Sequence, residues 1–392
     1  MRVDRHEKGV RILQTLEDAG YEAYFVGGYV RDYLLGINTK DIDITTAARP
    51  EIVEELFARV KPTGRAFGTM TVLIEDVPFE VTTFRRDGTY DNHRHPDEIA
   101  YSDSLAADLA RRDFTINQLV MDARGNILDH HGGREDLSKG LVRTIGEADA
   151  RFSEDALRML RAFRFMAVLG FQLETETEAA IRRQGHLIRK VSIERVQEEL
   201  FKLFRALYAR HALQALAATD FHRHLSIAEG VERLAASDVP FGLHAGFALL
   251  DECDGLDREH WRFSKRFSRT LHRIRDAASA LRKEGPTPRI VFEYGHWVCR
   301  RANTLNRLLG HADAADEIEA VDRELPLRSL KELAFKGEDA RRLPVAKPHH
   351  IRIVLDELLG KVLDGELPNE YEQLKKEAEK LVETLKEDRR NA

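Results

Sequence analysis

Asp41 and Asp43 are the residues whose spacing first suggests chemistry. They belong to the segment Asp41-Ile-Asp43-Ile-Thr45, whose period-two alternation predicts a strand with both carboxylates on one face. Two carboxylates so placed repel unless cations sit between them. Magnesium takes oxygen ligands and commonly uses one or two carboxylates together with substrate phosphates. Two such ions can activate an attacking hydroxyl and stabilise a departing pyrophosphate. Glu80, on a neighbouring predicted strand, could supply a third carboxylate. Just upstream runs Phe25-Val-Gly-Gly-Tyr-Val-Arg-Asp-Tyr-Leu-Leu-Gly36. A strand ending at a double glycine lets the backbone approach a phosphate, and the helix that follows offers free N–H groups. Gly28 and Arg31 are the candidate phosphate contacts. A lone Asp-x-Asp is common on solvent-facing strands; the full order of glycine turn, Val-Arg-Asp, Leu-Leu-Gly and Asp-x-Asp is far more specific.

Two later stretches carry further candidates. Arg111-Arg112-Asp113-Phe114-Thr115-Ile116-Asn117 follows a predicted helix, and its charged and amide groups can hydrogen-bond a nucleotide's sugar and phosphates. In Glu154-Asp155-Ala-Leu-Arg158-Met-Leu-Arg161-Ala-Phe-Arg164, the residues Asp155, Arg158, Arg161 and Arg164 step by three, which predicts a polar stripe on one helix. A carboxylate accepts from the exocyclic amine of cytosine or adenine, and a guanidinium donates to the adjacent ring nitrogen. Uracil and guanine present the opposite pattern. An Asp155/Arg158 pair would therefore pass C and A and reject U and G without a nucleic-acid template. The plainer expectation is an intrahelical salt bridge.

These residues need a scaffold. Residues 1–150 mix helix and strand signals: a helix through Val10, Leu13, Leu16 and Ala19 ending at Gly20, a strand Ala23–Val26, and a hairpin of 69–74 with 79–83 around Glu75-Asp76-Val77-Pro78. Beyond about residue 150 the strand signals nearly vanish, and Gly285-Pro286-Thr287-Pro288 is the clearest breaker. A charged amphipathic helix from Glu370 to Arg390 places Leu374, Ala378, Leu381 and Leu385 on one side. Ser192 through Phe204 reads as a capped amphipathic support helix. Asp129-His130-His131 is a possible metal motif, but the following Gly132-Gly133 favours a turn.

The chain has 392 residues, 43% of them hydrophobic, and a net charge of −6. That length suggests several domains. No apolar run approaches the roughly 18 residues of a membrane span, so no membrane partner is expected. The start lacks the apolar stretch of a secretory signal, and Cys253 and Cys299 form no CxxC pair. Both fit a reducing cytoplasm. From Arg258 to Lys283 there are nine Lys/Arg against two Asp/Glu, a basic run able to face a polyanion.

In order, the glycine-and-aspartate block, the Arg-Arg-Asp stretch and the Asp-x-x-Arg helix resemble motifs A, B and D of the tRNA nucleotidyltransferase and poly(A) polymerase superfamily, in its class II bacterial CCA-adding branch. The resemblance is strong over roughly residues 20–205 and weaker beyond. It implies an α+β fold: a polymerase beta-like nucleotidyltransferase head with a mixed sheet (1–150), then an all-helical neck (151–205), body (206–285) and tail (286–392). It implies Asp41 and Asp43 as catalytic residues binding Mg2+. It implies Gly28, Arg31, Arg112, Asp155, Arg158, Arg161 and Arg164 as the nucleotide site, with the last two serving the triphosphate or orienting the Asp/Arg pair. Residues 87–96 resemble the loop that switches such enzymes from C to A, with Arg94-His95-Pro96 where two arginines often precede the proline. The expected activity is template-independent addition and repair of the 3′-terminal CCA of tRNA from CTP and ATP. Alternatives are an A-adding or poly(A)-adding relative and an RNA-binding module with an inactive head. The intact Asp41, Asp43, Arg112, Asp155 and Arg158 argue against the last. In such enzymes the helical body and tail hold tRNA, which marks the Arg262–Lys283 region as its candidate surface. Oligomeric state is left open by the sequence.

Overall fold

The computed structural model describes residues 2–39, 41–87, 90–91, 95–96, 99–343 and 348–387. They divide into two units, Met1–Ala236 with His260–Arg262, and Ser237–Glu259 with Phe263–Ala392.

In the first unit, helix α1 (Arg2–Asp18) buries Ile12, Leu13 and Leu16, and the chain turns at Gly20 in the left-handed region. Seven strands follow in one sheet: β1 (Ala23–Val26), β2 (Asp43–Thr46), β3 (Val60–Gly64), β4 (Thr69–Ile74), β5 (Val77–Thr83), β6 (Val120–Met121) and β7 (Ile127–Leu128). Their spatial order is β7-β6-β1-β2-β5-β4-β3. The sheet is mixed, because β2 pairs antiparallel with β1 but parallel with β5. The parallel register sets Asp43 beside Glu80. The expected β4–β5 hairpin is present, with a shorter turn than the sequence suggested. Glu75 and Asp76 both adopt positive φ, the signature of a two-residue hairpin loop, and β5 already starts at Val77. Pro78 is tolerated inside β5 because β2 pairs with that strand only from Glu80 onward.

The expected loop at 87–96 lies largely outside the described residues. What is described there is strand pairing of Arg85–Asp87 with Ile99–Tyr101 and of Tyr90–Asp91 with His95–Pro96.

Helices dominate after residue 150, with a two-residue parallel pairing of Leu141–Val142 and Gln172–Leu173. The predicted single helix through Glu154 to Arg164 is in fact two, α4 (Ala148–Glu154) and α5 (Leu157–Leu169), with Asp155 extended at φ −142° between them. The cause is local: Asp155 Oδ1 accepts the Leu157 amide at 3.1 Å, so the side chain competes with the helical backbone. Asp155 therefore does not share a helical stripe with Arg158, Arg161 and Arg164. Helix α6 (Ile193–Arg205) packs against α5. The expected Ser192 side-chain cap does not form.

In the second unit, helix α7 (Lys265–Glu284) ends at Gly285, and Thr287 caps the next helix with Pro288 in its first turn. Leu374 and Ala378 of the C-terminal helix (Tyr371–Glu387) are fully buried with Phe335, Val354 and Leu358 in a core of their own. No helix of the described residues is long and apolar enough to cross a membrane.

Asp129-His130-His131 is a turn, as the glycines suggest. The Asp129 carboxylate accepts the amides of Gly133 and Arg134, each at 2.9 Å, and starts the helix Gly133–Lys139. A Cβ at Gly133 would lie 2.3 Å from the Thr115 carbonyl oxygen, where only backbone movement could relieve it. Gly133→Ala should destabilise the protein by about 1–3 kcal/mol, the usual cost of overpacking, as read by urea denaturation. An unchanged midpoint would refute this close approach.

Candidate active site

The turn after β1 sets the floor of a cleft. Gly27 has φ +72° and ψ −134°, a conformation that favours glycine, and caps helix α2 (Gly28–Leu34). A Cβ on Gly27 would lie 3.3 Å from Arg112 Nη1 and 4.0 Å from Asp43 Oδ2, so the missing side chain keeps these two groups open to the floor. Gly28, the glycine singled out from sequence, follows at the first helical position.

The cleft has a volume of about 550 Å3. Of the nine residues singled out from sequence, it is lined by Gly28, Arg31, Asp43, Arg112, Asp155, Arg158, Arg161 and Arg164. Asp41 does not line it; it is exposed, yet near enough for its charge to act on Asp43. Arg85, Arg111 and Arg195 add to the lining, making eight arginines with Arg158, Arg161 and Arg164 of α5, Arg31 and Arg112.

The arginines are held by neighbouring acids, amides and carbonyls. Arg31 is buried and donates to Asp32 Oδ1 at 2.7 Å and Asn117 Oδ1 at 2.7 Å. Arg161 donates to Asp113 Oδ2 at 2.9 and 2.5 Å. Burial acts to raise the Asp113 carboxyl, but Arg161, Asn117 and the Phe114 amide prevail and hold it at about 2. Arg164 lies 2.5 Å from Glu199 of α6 and stacks 4.0 Å from the Phe165 ring centroid. Asp155 and Arg158 are fixed separately: Arg195 of α6 donates to Asp155 Oδ2 at 2.8 Å, while Arg158 donates to Glu154 at 2.7 Å and to the Arg151 and Arg111 carbonyls. The support helix expected from sequence thus supplies Arg195 and Glu199 to the cleft and its backing. Phe165, Asp108 and Arg195 escaped the motif reading; for Asp108 the available signal was its position four residues before Arg112 on a predicted helix.

Asp43 has the opposite electrostatics. Burial raises its carboxyl to about 6, and the charges of Glu80 and Asp41 push the same way against Arg112. This is a set of hard oxygen donors whose mutual repulsion a divalent cation would relieve, so the residues present fit such an ion.

A carboxyl raised in the folded state costs stability as pH rises from the ordinary carboxylate range through about 6. Replacing Glu80 by Gln removes part of that repulsion. At pH 7 and with chelator present, Glu80→Gln should therefore melt slightly above the unsubstituted protein, and the gain should shrink below pH 5. With a divalent cation present the order should reverse. Melting curves at the two pH values, with and without cation, measure this; a lower melting point in chelator at pH 7 would contradict it.

Comparison with known protein families matches three stretches of the chain. Residues 23–143 match the model of the "Poly A polymerase head domain", residues 170–228 that of the "Probable RNA and SrmB- binding site of polymerase A", and residues 258–378 that of tRNA nucleotidyltransferase domain 2. The chain is 36% identical over 380 residues to the CCA-adding enzyme of Levilactobacillus brevis, covering 92% of this chain and 94% of the relative. It is 37% identical over 387 residues to that of Geobacillus stearothermophilus, covering 94% and 95%. The fold is similar to that of Bacillus stearothermophilus CCA-adding enzyme in complex with CTP, with a TM-score of 0.85 and 32% identity over 98% of this chain and 99% of that one. At this identity, sustained along nearly the whole of both chains and on a shared fold, the chain belongs to the CCA-adding enzyme family.

Proposed function

We propose that this chain adds and repairs the 3′-terminal CCA of tRNA from CTP and ATP, without a nucleic-acid template, releasing pyrophosphate. The observation that carries this is the cleft itself, which is lined by Asp43, by eight arginines able to face a polyphosphate, and by Asp155 and Arg158. The relative in complex with CTP shares that fold.

Asp41 and Asp43 would hold Mg2+, with Glu80 alongside, and the bound ions would lower the pKa of the tRNA 3′-hydroxyl and neutralise the leaving pyrophosphate. The chain's own task is positioning and charge complementarity. Gly28, Arg31, Arg112, Arg161 and Arg164 would receive the triphosphate. Asp155 and Arg158 would read the base. Asp155 keeps acceptor capacity beyond the bonds from Leu157 and Arg195, since each carboxylate oxygen has two lone pairs. That Asp155 pairs with Arg195 and Arg158 with Glu154 supports this reading, because an Asp155–Arg158 salt bridge would spend the two groups on each other.

The chain would divide into head (1–150), neck (151–205), body (206–285) and tail (286–392) and would act in the cytoplasm. For tRNA contacts, the basic run narrows. Arg262 pairs with Glu194, Arg275 with Asp251 and Glu252, and Arg282 bonds Asn306, whereas Lys265, Arg266 and Arg269 are exposed at the start of α7. In the same unit, Arg300, Arg301 and Thr304 line a groove beside the half-exposed Trp297, against which Arg301 stacks at 3.6 Å. Guanidinium and indole groups together suit RNA backbone and bases.

Incorporation assays on tRNA ending before CCA, after C and after CC, with single nucleotides and with CTP plus ATP, test the activity. Growth stopping at CCA is the expected result; addition only to the CC end would mark an A-adding enzyme, and long A tails a poly(A) polymerase. Asp41→Ala should lower incorporation by about a thousandfold or more with tRNA binding intact; equal loss of both would point to unfolding. Arg158→Ala should narrow the preference for CTP over UTP by about 10- to 100-fold, the scale of one lost base contact. Unchanged selectivity would sink the template reading.

A further inference from the structure

Helix α3 (Leu105–Ala110) carries an acid that no motif assigned. Asp108 is fully buried, and its two oxygens divide their work. Oδ1 accepts Arg111 Nε at 3.0 Å and Nη2 at 2.7 Å. Oδ2 accepts Arg112 Nη2 at 3.2 Å and the Thr45 hydroxyl at 3.2 Å. Thr45 lies on β2, two residues beyond Asp43 and on the same side of the strand. One carboxylate thus ties the arginine pair to the strand that carries the metal-site acid.

The two arginines are used differently. Arg111 gives both its Nε and one terminal nitrogen to Asp108, and its backbone carbonyl receives Arg158 Nη2 at 3.1 Å. Arg112 gives Asp108 a single terminal nitrogen. Its Nε is buried with no hydrogen-bond partner, and its Nη1 faces the floor at Gly27. Arg112 therefore retains donors for an incoming anion while being anchored at one corner. Exposed ion pairs at this helical spacing contribute little, but a carboxylate with no solvent contact fixes its partners and is costly to disturb. Burial alone would raise the Asp108 carboxyl; Arg112 and Arg111 instead hold it below its ordinary value, so it stays charged.

The geometry points to Asp108 as a positioning residue for nucleotide binding: it sets where the Arg112 guanidinium stands relative to Asp43, and hence where a triphosphate is received between them. The inference rests on the nucleotidyl-transfer reading of the cleft. Arg112 is the group that would touch the triphosphate, and Asp108 acts through it.

Steady-state kinetics of wild type, Asp108→Asn, Asp108→Glu, Arg112→Ala and the double variant Asp108→Asn/Arg112→Ala test it, with urea midpoints measured alongside. In Asp108→Asn the KM for CTP and for ATP should rise about 10- to 100-fold, the scale of a misplaced binding group, with the KM for tRNA within twofold. Asp108→Glu keeps the charge and displaces it by one methylene. It should raise the same two KM values and leave that for tRNA unchanged, and it decides the matter if the Asn variant does not fold. In the Arg112→Ala background the Asn substitution should add less than about twofold, since residues acting as a unit are not additive. Wild-type nucleotide KM values in a folded Asp108 variant, or full additivity with Arg112→Ala, would overturn the proposal. A parallel rise in the tRNA and nucleotide KM values would overturn it too, by marking general damage. A wild-type protein that incorporates neither CTP nor ATP would instead refute the transferase reading beneath it.

Discussion

Guanidinium groups crowded on one surface repel each other, and the cleft stands only because acids pair with them. Asp108, Asp113, Glu154 and Glu199 each take one or two arginines by the back or side. Two unit charges about 4 Å apart interact by several kcal/mol at the effective dielectric of a partly buried site, so eight unneutralised arginines would not hold a shared wall. The acids come from α3, α4, α6 and the stretch after α3, which makes the wall a tertiary product. Helix α5 contributes the largest share of arginines but none of the acids that hold them.

Local physics made much of this legible. The strand ending at Gly27-Gly28, the helix stopping before Gly20 and the Thr287-capped restart after Gly285 are decided by a few adjacent residues. The motifs located most of the cleft lining for the same reason, since their residues are near neighbours in sequence. The break at Asp155 was not legible. Glu-Asp-Ala-Leu-Arg reads as sound helix, and what interrupts it is a side-chain bond to Leu157 together with a partner, Arg195, on another helix. Asp108 escaped for a related reason. An acid three and four residues before two arginines usually lies on a wet helix face, and only the packing of α3 against the sheet removes it from solvent.

The sheet makes the same point at longer range. A period-two pattern identifies Asp43 as a strand residue but says nothing about which strand lies beside it. The parallel partnership of β2 with β5 brings Glu80 to its flank, and the antiparallel partnership with β1 brings the glycine turn to its other side. Two carboxylates and the glycine turn thus meet across one strand.

The charge of the arginine wall is not negotiable, because a guanidinium stays protonated at any pH the fold survives. The Asp43 carboxyl, lifted to about 6, is within reach of ordinary proton concentrations. The two halves of the cleft therefore answer to different variables. On the nucleotidyl-transfer reading, the arginines would keep their charge for the nucleotide's phosphates as pH falls, while a cation at Asp43 would compete with protons for the carboxylate.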